Sequence, residues 1–82
     1  MFIIRTEFKE IETQDVVFAA EILRGLIERL PAHQGVTVTL WVKDWRAREY
    51  LFALAKVSNE EVGSVQPRPG SYLRGFQSVW KA

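Results

Sequence analysis

The chain contains no cysteine. That excludes a disulfide scaffold, a cysteine-based zinc site and a thiol nucleophile. Histidine occurs once, at position 33, in the stretch between Pro31 and Gly35. A catalytic base needs a nucleophile within reach and a group that orients it. The neighbouring residues imply neither, so His33 reads as an exposed loop residue. Long apolar runs are also lacking. Phe2, Ile3 and Ile4 are followed by Arg5 and Glu7, whereas a secretory signal needs about 7–15 apolar residues and a membrane-spanning helix about 20. The expected location is the cytoplasm, with no membrane association.

Strong charge of one sign is missing as well. The formal net charge is +1 over 82 residues, and 48% of the residues are apolar, which argues against intrinsic disorder. The length leaves room for one domain. Acidic residues are absent from the last 21 positions, which hold Arg68, Arg74 and Lys81. This makes a mildly basic tail, far from the dense footprint of a dedicated nucleic-acid binder. No P-loop, dinucleotide fingerprint, EF-hand loop or HExxH motif occurs, and no cofactor or metal is implied. Glu10, Glu12 and Asp15 cluster ahead of a helix, where the helix dipole favours acids without any ligand.

What is present is patterning. Phe2 to Phe8 alternates with period two, with Phe2, Ile4, Thr6 and Phe8 on one face, and predicts a strand buried on one side. From Thr13 to Leu30, apolar residues recur at three- and four-residue spacing, which predicts an amphipathic helix stopped by Pro31. Val36 to Val42 alternates again and is rich in β-branched residues. The first strand, the helix and this strand match in length and predict a βαβ unit with parallel strands. Arg5, Glu7, Lys9, Thr37, Thr39 and Lys43 on the strands' second faces predict that one side of the sheet is solvated.

Asp44 to Val57 predicts a second helix with Asp44 as its N-cap. Ala47, Tyr50, Leu51, Leu54 and Ala55 form its main apolar face, while Trp45 and Phe52 lie on another side. A short strand over Ser64 to Gln66 would be demoted to an edge by Pro67. The segment from Ser71 to Lys81 reads either way. Tyr72, Leu73, Phe76, Val79 and Trp80 share one sector of a helical wheel and favour a helix, while Gly75 and the aromatic content favour a strand. The fold class is thus α/β of the α+β kind: a two-layer βαβ-α core with a C-terminal helix or strand, loosely ferredoxin-like.

With little to support catalysis, the leading expectation is a small non-enzymatic regulatory, adaptor or inhibitor protein, of the kind a phage or mobile element carries. It would act by binding another protein through Trp45, Arg48, Phe52 and Trp41, residue types enriched at interface hot spots. The competing reading of Trp45 and Phe52 is that the apolar face of residues 72–80 packs over them. A nucleic-acid-binding alternative uses Arg5, Trp41, Lys43 and Arg74, with Trp41 stacking on a base. Its competitor has Trp41 packed under the stems of Arg5 and Lys43. A third reading, a metal-independent ribonuclease, would draw on Arg46, Arg48, Tyr50, Tyr72 and Arg74. The C-terminal segment, if it does not dock, would serve dimerisation.

Overall fold

Two aspartates set where the helices begin. In the computed structural model, which describes residues 1–32, 35–57, 75–81 and the backbone of 64–67, Asp15 accepts hydrogen bonds from the Val17 and Phe18 amides. It caps α1 (Val16–Arg29). Asp44 accepts from the Arg46 amide at 2.9 Å and caps α2 (Trp45–Ala55). Each side chain satisfies amides that a helix start leaves without an internal partner. Thr13, expected to start and cap the first helix, instead ends a strand and accepts from the Asp15 amide, and the cap is Asp15. A 3-10 turn over Leu30–Ala32 absorbs Pro31 at the other end of α1.

The first strand is shorter than its alternation predicts. It ends as β1 (Phe2–Arg5), and β2 (Glu10–Thr13), a strand outside the expected one, pairs with it antiparallel with Arg5 opposite Glu10. The turn between them is closed by threonine. The Thr6 amide donates to the Lys9 carbonyl at 2.9 Å, and Thr6 Oγ1 accepts from the amides of Phe8 and Lys9. A serine or threonine hydroxyl can close a turn in this way without glycine or proline. Phe8, expected on the buried face, therefore sits in the turn and is 85% exposed.

That reversal changes the sheet. β3 (Thr37–Val42) pairs antiparallel with β1, not parallel as the βαβ reading predicts. The strand that runs parallel to β3 is β2, and α1 carries the chain from β2 to β3 across the intervening β1. The sheet is completed by β4 (Ser64–Pro67) and β5 (Phe76–Lys81), in the order β2-β1-β3-β5-β4, with every neighbouring pair antiparallel. β4, ending at Pro67, is an edge strand. The helical reading of the C-terminal segment is overturned for Phe76–Lys81, which is strand; residues 71–74 lie outside the described residues.

Both helices pack on one face of this sheet, giving the expected two-layer α+β architecture. The element order is ββαβαββ, where a ferredoxin-like plait would run βαββαβ. Leu23 of α1 and Leu51 and Phe52 of α2 meet Phe2, Ile4, Val38, Leu40, Val42 and Trp80 of the sheet in one core. Gly25 of α1 faces open space, with nothing within 4 Å of where a Cβ would lie. Gly25→Ala is accordingly expected to stabilise the domain by about 0.5–1 kcal/mol, because alanine loses less backbone freedom in a helix. The midpoint of urea unfolding would register it.

The second face is solvated in part, as the sequence predicts, with Arg5 and Lys81 exposed and Thr37 and Thr39 half-buried, but its middle is not. Ile3 and Trp41, which alternate away from the helices, are both buried. Part of the reason is Gly75, whose backbone lies against the Trp41 ring. A Cβ at Gly75 would stand 2.8 Å from Trp41 Cζ2 and 2.4 Å from the Val42 carbonyl oxygen.

Candidate functional site

Trp45, Arg48 and Phe52 fall at the start, fourth and eighth positions of α2, and so lie along one stripe of the helix. The stripe faces β5. Arg48 is the central member. Its guanidinium carbon lies 4.6 Å from the centre of the Trp45 ring and 4.5 Å from that of Phe52. The flanking rings continue the stack. Trp45 meets Phe76 edge-on at 5.2 Å, and Phe52 meets Trp80 edge-on at 5.7 Å. The result is a ladder running Phe76, Trp45, Arg48, Phe52, Trp80.

A guanidinium buried to 2% exposure needs compensation. Arg48 Nε donates to Ser78 Oγ at 3.1 Å, and one terminal nitrogen donates to Glu49 Oε1 at 3.2 Å. Ser78 is itself fully buried. A cation–π contact is worth about 0.5–1 kcal/mol at an exposed ring and about 2 kcal/mol at a desolvated one, which ranks the half-exposed Trp45 contact below that of buried Phe52, and an edge-on aromatic pair adds about 0.5–1.5 kcal/mol. Burial lowers the Arg48 pKa from its ordinary value, and the Glu49 carboxylate opposes that shift.

The structure sorts the expected contact residues. Arg48, Phe52 and Trp41 are buried, and only Trp45, at 49% exposure, presents a surface. The packing of the C-terminal segment over this stripe does occur, by a strand. Arg48 is therefore the support of Trp45 and is not a rim contact: it holds the indole from beneath while Phe76 holds its edge. Phe76 was expected over this stripe only as one member of the apolar face of residues 72–80, and Ser78 was not expected there; its contact becomes visible only once residues 76–81 are placed as strand.

At the same end of the molecule lie Val17 and Phe18, both exposed. The two helices start at this end, because α1 follows Thr13 and α2 follows Val42, and both residues pair with Phe2. Three large apolar side chains thus project from the first turns of two helices.

The nucleic-acid set is not assembled in this way. Trp41 is buried to 2% exposure and offers no ring for a base to stack on. Arg5 is exposed but paired with Glu10 at 2.6 Å. Lys43 is exposed just beyond β3, and Arg74 lies outside the described residues. Of the ribonuclease set, Arg46 and Tyr50 are exposed, Arg48 is enclosed, and Tyr72 and Arg74, like His33, are outside the described residues. Glu10 and Asp15 are engaged in the ion pair and the helix cap. Among the described residues, no group of three or more histidine and acidic side chains converges on a point. No helix there is long and apolar enough to cross a membrane.

Comparison with protein-family models, with curated proteins and with solved structures gave no match to this chain.

Proposed function

We propose that the protein works by binding another protein, with Trp45 as its principal contact and Val17 and Phe18 beside it at the same end. The observation that carries this reading is the state of Trp45. It is half exposed, yet its ring is clamped by Arg48 and Phe76. An exposed tryptophan already fixed in one orientation loses little freedom on binding, which is the property of a good interface anchor. A small regulatory, adaptor or inhibitor protein that acts through contact alone fits this arrangement.

The test replaces Trp45 with a photo-crosslinking phenylalanine analogue in the cells that make the protein. The same analogue at Lys56, at the far end of α2, is the control. A discrete protein adduct from position 45 that is absent from position 56 is the expected result. Adducts to nucleic acid alone, or none from either position, would reject the reading.

A further inference from the structure

A second surface lies at the opposite end of the sheet. The β1–β2 turn, the last turn of α1 and the start of β3 enclose a cleft of about 280 Å³. Phe8, Leu26, Leu30 and Val36 make its walls apolar, and Lys9 and Arg29 place two cations among them. No acidic side chain is among the described lining residues. Of the acids that adjoin these cations in sequence, Glu7 has its carboxylate occupied by the Thr37 amide at 2.7 Å, Glu10 is paired with Arg5 at 2.6 Å, and Glu28 is exposed but does not line the cleft. Among the described residues, neither Lys9 nor Arg29 forms an ion pair. The Phe8 side chain has no part in closing the turn, which rests on the Thr6 hydroxyl and backbone groups, and no part in the core, since the residue is 85% exposed.

We propose that this cleft receives an acidic segment of a partner protein, one bulky apolar side chain entering between Phe8 and α1 while flanking carboxylates pair with Lys9 and Arg29. Charge selects this occupant and size admits it. The volume stands at the foot of the roughly 300–1,000 Å³ range of small-molecule pockets and has room for a single inserted side chain. Two cations with no acid among the described lining residues complement a carboxylate-bearing segment and repel a basic one. The inference goes beyond the Trp45 reading and uses none of its residues.

The probe is the capped peptide Glu-Asp-Trp-Glu-Asp, titrated into the 15N-labelled full chain and followed by NMR. Its counterpart, with Gln and Asn in place of the acids, is run in parallel. The expected result is saturable movement of the amides of residues 6–9, 26–30 and 36–38, with a dissociation constant of about 1 mM or tighter. The neutral peptide should bind at least about tenfold more weakly, and added salt should weaken the acidic one. Phe8→Ala and the double variant Lys9→Glu/Arg29→Glu should each reduce affinity by about tenfold. All three positions are exposed, and dispersed spectra would verify that the variants fold. Trp45→Ala should leave this binding unchanged, which separates the cleft from the other end of the molecule. Equal binding of both peptides, or movement elsewhere only, would overturn the proposal. So would binding of decanoate at these amides without binding of the peptide, which would make the cleft a site for lipid carboxylates.

Discussion

Phe52→Ala is expected to destabilise the domain by about 3–5 kcal/mol, the usual cost of truncating a buried aromatic residue to alanine. Domains of this length have a total stability of about 4–12 kcal/mol, so the variant should lose from about a quarter of that stability to all of it. The cost has two sources. Phe52 fills core volume between Leu51 and Trp80, and it forms one side of the enclosure around Arg48. Removing it opens a cavity beside a charge that has been taken out of water. Trp45→Ala provides the contrast. That ring is half exposed and covers only the other side of Arg48, so its loss should cost about 1–2 kcal/mol and leave a folded protein. Urea unfolding of the two variants, with near-ultraviolet circular dichroism as the fold check, measures the difference. Comparable loss in both would mean that Trp45 is as much a core residue as Phe52, and that it is no free contact.

The second large effect is expected at Gly75. An alanine there puts a methyl group 2.4 Å from the Val42 carbonyl oxygen and 2.9 Å from Lys43 Cα. Both obstacles are backbone atoms of the central strand and its exit, which cannot swing aside as the tip of a flexible side chain can. Overpacking of this kind costs about 1–3 kcal/mol, occasionally more. The third obstacle, the Trp41 ring at 2.8 Å, is a side chain. Trimming it with Trp41→Phe should therefore fail to rescue Gly75→Ala, because the carbonyl remains. Thermal unfolding of the single and double variants decides this. Full rescue would show that the indole alone sets the constraint.

How far the sequence could be read depends on where polar residues are buried. The helices were legible because Asp15 and Asp44 stand at helix starts and the α1 periodicity is clean. β3 was legible from its alternation. The turn at Thr6–Lys9 was not, because it contains no glycine, proline, asparagine or aspartate, and a hydroxyl does their work. Missing it ran the first strand on to Phe8, left β2 unseen and gave the pairing of β1 with β3 the wrong direction. The C-terminal strand was hidden for another reason. Its core-facing positions are Phe76, Ser78 and Trp80, and the serine breaks the apolar alternation that marks a strand. Serine is tolerated there because Arg48 donates to it. The same arginine disguised α2, whose buried side runs through Arg48, Leu51, Phe52 and Ala55 and not through Tyr50. One polar contact thus masked both partners of a packed interface. Of the expected site residues, Trp45 was legible as a candidate contact. The supporting role of Arg48 was not, since it depends on two rings and a hydroxyl drawn from separate elements.

The Arg48–Ser78 contact also bears on alignment. A strand moved along its neighbour by one residue turns its side chains to the opposite face, and moved by two it restores the face with different residues. Either shift of β5 against α2 removes Ser78 from the guanidinium. A one-residue slip presents no core-facing hydroxyl, because Gln77 and Val79 then occupy that face. A slip of two brings Phe76 or Trp80 to the spot, and neither accepts a hydrogen bond through its ring edge. In each shifted arrangement a buried cation loses one of its two acceptors and keeps only Glu49, a larger loss than one displaced apolar contact would bring. An apolar pair at these positions would tolerate several offsets almost equally. The polar pair makes one offset distinct, so β5 carries in its own sequence the position at which it must stop against α2.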